Sequence, residues 1–325
     1  MASPGVFSGS NTFTELVTTT FRKHRKEIQD NLSNRNALLK YIMNKGNKIH
    51  EDGGLTIATP LDYAANSTYQ RYSDWDTLNI SASDVISSAE YQWRQIALNV
   101  VASGRELRIN SGDSRIINLV KARVKNAIRT FNNGFSYDLY SSGALTNQIN
   151  GLQALVADAG TGTVGGIDSS AFPFWQNTVV SAAALSVTPS ATTIEGSLML
   201  PAWLSVDRGP DDQPELIVSS NDYYQFFEAS QVSLKRYNDT TKGPAGFTSL
   251  KYKNADVIYD GNSGIPSAHM YFLNLNYVNL VVHTDADMTI LDEATPINQD
   301  GSITQVLWMG NLTCSNRHLQ AVVKA

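Results

Sequence analysis

Residues able to do chemistry are thinly spread along this 325-residue chain. Gly160-Thr-Gly162-Thr-Val-Gly165 fits the G-x-G-x-x-G spacing that seats a pyrophosphate on a helix N-terminus. That use needs a helix starting at the third glycine. Gly166-Ile167-Asp168 and then Pro173 follow instead, so the run reads as a loop. The five histidines (His24, His50, His269, His283, His318) share no metal-ligand spacing, and Cys314 is the single cysteine. Neither a zinc site nor an intrachain disulfide is expected. Asp285 and Asp287 resemble half a calcium loop without its glycine and closing glutamate, and read as a strand-end turn. A G-x-S-x-G elbow and a P-loop are both missing from the sequence. Two carboxylates meeting in space to cleave a glycoside stay as an alternative. The reading is a non-enzyme with no cofactor and no metal.

The chemistry that does stand out is that of contact. Residues 54–110 are polar, rich in Thr, Ser, Tyr and Trp, and too poor in aliphatics to close a core. An isolated ribbon of this kind is marginal in water. Tyr69, Tyr72, Trp75, Tyr91 and Trp93 are its aromatics, and such residues dominate interface hot spots. They are expected to anchor a neighbouring subunit. A sugar-binding platform is the rival use of the same rings.

Charge points to an assembly as well. Net charge is −5, with 17% charged residues, which suits a subunit whose surface faces copies of itself. From Gly104 to Asn133, seven bases stand against Glu106 and Asp113, giving +5. From Asn150 to Val232, nine acids face only Arg208, giving −8. Phe21 to His50 carries +6, from eight bases against two acids. Such asymmetry fits one face towards a polyanion and another towards solvent. Arg115, Lys121, Arg123, Lys125 and Arg129 are the candidates for proximity to nucleic acid. Met1 to Thr14 lacks the basic and apolar regions of a signal peptide, and the apolar run Val179 to Val187 is too short to span a membrane.

The elements that must position these residues follow from periodicity. Phe13 to Leu32 and Asn36 to Met43 read as helices, and Gly53-Gly54 opens the ribbon. Leu55, Ile57 and Thr59 alternate, as do Tyr91 to Val101, giving a long two- to three-stranded arm. Ser111 or Asp113 caps a helix whose stripe Ile116, Val120, Val124, Ala127, Phe131, Phe135 and Leu139 runs to about Tyr140. Beyond Asn150 the chain reads as an α+β region. Strands are expected at Gln153 to Ala157 and Glu215 to Ser219, with helices at Phe174 to Leu185, Thr193 to Ser205 and Asn221 to Ser230. A loop at Asn238 to Thr248 precedes strands that dominate to the end.

Several runs resemble one family. Asn150-Gly-Leu-Gln-Ala-Leu155, Thr163-Val-Gly-Gly-Ile-Asp168 and Pro173-Phe-Trp-Gln-Asn177 resemble, in order, a stretch of tailed-bacteriophage major capsid proteins. Pro214 to Tyr223, Leu250 to Asp260, Tyr271-Phe-Leu-Asn274 and Met309-Gly-Asn-Leu-Thr313 continue the likeness. The resemblance implies the HK97-like fold. It divides the chain into an N-terminal arm (1–34), the start of a peripheral domain (35–53) and an extended loop (54–103). A spine helix segment (104–144), an axial domain (145–275) and return strands of the peripheral domain (276–325) follow. It further implies self-assembly through pentamers and hexamers into an icosahedral virion shell around double-stranded DNA, built in the host cytoplasm. Expected partners are a separate scaffolding protein, a portal and a decoration protein, with no membrane. An encapsulin-like nanocompartment shell is the alternative with the same fold.

Overall fold

The computed structural model describes residues 36–109, 113–231, 250–260, 264–292 and 294–325, with side chains outside 107–122. The expected N-terminal arm, the helix at Phe13 to Leu32 and the loop at Asn238 to Thr248 lie outside the described residues.

The first described helix, Ala37–Lys45, begins where the Asn36 Oδ1 accepts from the Leu39 amide at 2.8 Å. Gly46, at φ +80°, ends it in the left-handed conformation that glycine adopts without strain. Five strands form the sheet of the expected peripheral domain: β1 (Lys48–Glu51), β4 (Arg94–Ser103), β12 (Val278–His283), β13 (Thr289–Ile290) and β14 (Gly301–Cys314). β14 is its spine. It pairs antiparallel with β4 from Gly301↔Ser103 to Gly310↔Arg94, and with β12 from Gly310 to Cys314. Burial alternates along β14, so Ser302, Thr304, Val306 and Trp308 share one face. The 26-residue helix Asp113–Asp138, ~39 Å long at 1.5 Å per residue, crosses that face. Its buried stripe Val124, Phe131 and Phe135 continues to Leu139, and Phe135 meets Trp308 edge-on at 5.0 Å.

Six strands form the sheet of the expected axial domain, in the order β7 (Thr178–Ser181), β15 (Ala321–Lys324), β11 (His269–Leu273), β8 (Leu216–Ser219), β10 (Ala255–Tyr259), β9 (Leu250–Tyr252). Its two faces enter two cores. Leu216, Val218, Tyr271, Leu273 and Val322 join the core shared with the peripheral sheet. Ile217, Val257, Met270, Phe272 and Val323 face the helices Leu200–Val206 and Asn221–Ser230. A period-two strand buried on both sides produces this division. Tyr41 ties the parts together by donating to the Asp256 carboxylate at 2.9 Å.

The structure departs from the sequence reading at four places. The strand expected at Gln153 to Ala157 is a helical turn, Leu152–Leu155. The helix expected at Phe174 to Leu185 is a 3₁₀ turn, Pro173–Trp175, followed by β7. Apolar runs this short carry no decisive period. The arm ends earlier than residue 103, because β4 belongs to the peripheral sheet; only β2 (Ile57–Asp62) and β3 (Ile86–Tyr91) pair with each other. The return strands also divide. β12 to β14 join the peripheral sheet, while β15 inserts into the axial sheet between β7 and β11.

Candidate assembly surface

The arm is a hairpin, β2 against β3, with residues 63–85 as its tip. None of those tip residues is buried. The tip holds its shape through short polar side chains rather than packing. Asn66 Oδ1 accepts from the Thr68 amide at 2.9 Å, Asp76 Oδ2 from Ser73 at 2.8 Å, and Asn79 Oδ1 from Ser81 at 3.0 Å. Gln70 joins the two sides, accepting from the Asn79 amide at 3.1 Å and donating to the Thr77 carbonyl at 3.2 Å. The apolar groups are left facing out: Tyr69 is 80% exposed, Tyr72 69%, Trp75 97% and Ile80 93%. Such an apolar surface marks a binding site.

The root of the arm is different. Tyr91 is buried, and its hydroxyl donates to the Cys314 carbonyl at 2.8 Å, from the end of β3 to the end of β14. Burial raises its phenol pKa far above the ordinary value and pushes the Cys314 thiol up to about 12. Trp93 is half-buried, donates to the Gly54 carbonyl at 3.1 Å, and meets His283 edge-on at 5.6 Å. Tyr91 is therefore packed within its own chain, and Trp93 is partly so. The expected contact set narrows to Tyr69, Tyr72 and Trp75.

The glycine run that mimicked a nucleotide fingerprint buttresses this root. β5 (Thr163–Val164) and β6 (Ile167–Asp168) form a hairpin turned by Gly165 and Gly166, at φ +59° and +76°. Gly165 accepts from the Glu90 amide at 2.8 Å, and a Cβ on it would lie 2.8 Å from the Ala89 methyl. Trp175 braces the hairpin by donating to the Val164 carbonyl at 2.9 Å. Behind it, fully buried Arg317 donates to the Leu155 carbonyl (2.7 Å), the Trp175 carbonyl (3.0 Å) and Asn177 Oδ1 (2.9 Å). Sequence reading passed over Arg317. Its one signal is an arginine beside the buried stretch 311–314, weak without coordinates.

The long helix delivers part of the basic face expected of it. Arg123 is bound by Glu106, whose two oxygens it reaches at 2.8 Å, and by the Val101 carbonyl. That hydrogen bond holds the Glu106 carboxyl below its ordinary range. Arg123 is thus an internal strut rather than an open cation. Lys125 and Arg129 are exposed, with Arg129 donating to Asn126 at 3.2 Å. The side chains of Arg115 and Lys121 lie outside the described residues. A cleft of about 470 Å³ lies between the arm and the body, lined by Asp62, Tyr63, Phe174, Trp175, Arg208 and His318 among others. Among the described residues there is no cluster able to hold a metal ion and no helix long and apolar enough to cross a membrane.

No protein-family model matches the chain, and no curated protein matches it. Solved structures do match. The capsid asymmetric unit of cyanophage A-1(L) superposes with a TM-score of 0.61 at 17% identity, over 86% of this chain and 90% of that one. A structure from Mycobacterium phage Bobi gives 0.53 at 11% identity, over 86% and 89%. The holo-SrpI encapsulin complex from Synechococcus elongatus gives 0.52 at 11% identity, over 85% and 83%. The chain has the HK97-like α+β fold.

Proposed function

We propose that this chain is the major capsid protein of a tailed bacteriophage, assembling through pentamers and hexamers into the icosahedral shell around its double-stranded DNA. The observation that carries the reading is the arm tip, where four large apolar side chains stay more than two-thirds exposed on a segment with no core of its own. Leaving that surface in water is unfavourable by roughly 25 cal/mol per Å². Copies of the same chain supply the cover without a further gene product. Obligate interfaces of this kind commonly exceed about 2,000 Å².

Lys125 and Arg129 are suited to non-specific phosphate contact on the inner surface, with Arg115 and Lys121 as further candidates. A few cations hold DNA loosely, as ejection requires. A separate scaffolding protein, a portal and a decoration protein complete the expected partners, the shell being built in the host cytoplasm and ending in the virion. Negative-stain microscopy and sedimentation of the purified protein, alone and with its scaffold, test the reading. Closed particles are expected, and a stable monomer under both conditions would overturn it. The encapsulin match favours one rival, a nanocompartment shell. Particle contents separate the two, nucleic acid for the first and protein cargo for the second.

A further inference from the structure

We propose that His269 and Asp158 form a pH-dependent latch, closed when the imidazole is protonated, that fastens the turn at 157–160 to the first residue of β11. The latch lies within one copy, so it operates whatever the chain assembles into. His269 Nδ1 lies 2.8 Å from the Ser267 carbonyl, and its Nε2 lies 3.1 Å from Asp158 Oδ2. A carbonyl only accepts, and so does an ionised carboxylate. Both ring nitrogens therefore face acceptors. The imidazolium, with two N–H groups, satisfies both. The neutral ring has one N–H and leaves a lone pair against an acceptor.

Among the described residues the Asp158 side chain has no other hydrogen bond, and its Oδ1 is buried without a partner. Losing the His269 proton therefore leaves that carboxylate without a donor, which is costly where water is scarce. Tyr271, two residues along the strand, stacks on the His269 ring with centroids 6.2 Å apart, and its buried hydroxyl is also unpartnered. Burial, and then the Asp158 charge, hold that phenol above its ordinary value, so it keeps its proton while histidines titrate. Lys324 stands opposite His269 on β15, and Asp222 lies in the first turn of the helix after Ser220. As charges, Lys324 opposes the His269 proton and Asp222 favours it, but among the described residues it is Asp158 that forms an ion pair with the ring.

The latched turn leads to the brace of the arm root. Asn177 holds Ala157 from both sides, accepting from its amide at 3.1 Å and donating to its carbonyl at 2.9 Å. Arg317 holds Asn177 in turn. Gly160 ends the turn at φ +72°, and the Thr163–Asp168 hairpin that accepts from the Glu90 amide follows. Release of Asp158 leaves this path from the axial sheet to the arm with one attachment fewer.

The test is hydrogen exchange of the full chain at about pH 5.5 and about pH 8, read by mass spectrometry and corrected for the intrinsic pH dependence of amide exchange. Protection over residues 157–169 is expected to fall on the order of tenfold as pH rises, while that of β8 stays constant. The Asp158→Asn amide accepts from an N–H or donates to a ring lone pair, so its contact survives in both states and protection should be equal at both pH values. His269→Gln does not titrate and should give low protection, also equal at both. Constant protection in the unaltered chain, or the same fall in either variant, overturns the proposal. So does protection in His269→Gln as high as that of the unaltered chain in acid.

Discussion

The tip and the root of the arm carry the same residue types and meet opposite fates. Tyr72 and Trp75 face solvent, while Tyr91 and Trp93, some 20 residues on, are folded into the body. Ring chemistry does not separate them. What does is a backbone acceptor within reach: the Cys314 carbonyl for Tyr91, and the Gly54 carbonyl for Trp93. A buried tyrosine hydroxyl or tryptophan N–H usually finds a hydrogen-bond partner, and both root residues have one. At the tip, short polar side chains take up backbone amide donors, Gln70 takes the Thr77 carbonyl, and the rings stay outside.

The sharpest way to break this contrast is to remove what locks the root. Arg317→Met takes a donor from the Leu155 and Trp175 carbonyls and from Asn177 Oδ1, which keeps the Ala157 amide, and each buried oxygen left unpaired costs ~1–3 kcal/mol. The monomer is expected to lose about 3 kcal/mol or more by urea unfolding. An unchanged midpoint would mean that the root is not held there. Gly165→Ala comes next, because φ +59° and the 2.8 Å approach to Ala89 both resist a Cβ. It should cost ~1–3 kcal/mol and open the arm root to limited proteolysis.

Tyr91→Phe and Trp75→Ala form the central pair. Losing the Tyr91 hydroxyl leaves the buried Cys314 carbonyl short of a donor, so the monomer should weaken by about 1 kcal/mol. Trp75→Ala should leave monomer stability within about 0.5 kcal/mol and abolish particle formation. Equal loss of monomer stability in both variants would place Trp75 in a core and remove the distinction.

The smallest effect concerns acid. Burial acts to raise the Asp287 carboxyl, but the hydrogen bond and charge of Lys48, and then of His50, outweigh it and leave the group below its ordinary value of 3.8. Lys48 Nζ lies 2.6 Å away and His50 Nε2 3.2 Å. A depressed carboxyl adds stability above the usual carboxylate range and loses it as pH falls through the folded value. Unfolding midpoints should therefore drop below about pH 4. Asp287→Asn should flatten that part of the profile, and an identical acid profile in the variant would show that the cluster is neutral to folding.

The order of the fold was largely legible from the sequence. The helix from Asp113, the helix Asn221–Ser230 and the strands from β8 to β14 follow from apolar spacing and from caps, which are properties of neighbouring residues along the chain. The exposed tip was legible for a related reason, since a segment so poor in aliphatics cannot bury itself wherever it lies. Errors cluster where a short run had to choose a partner far away. β15 sits in the axial sheet because Ala321 to Lys324 find β7 and β11 on either side, more than 45 residues distant.

The amino-acid order by itself determined a protruding polar ribbon, a long amphipathic helix, and a chain without metal-ligand or nucleotide-binding spacing. Only the tertiary structure decided which aromatics stay outside, which arginine is buried behind the arm, and that the Gly165-Gly166 turn braces the root. Periodicity reports local preference, and a side chain's neighbours are fixed by hydrogen bonds and packing between residues far apart in the chain. Burial of Tyr91 and Arg317 is of that second kind, so it appears only once β3, β14 and the Thr163–Asp168 hairpin have met.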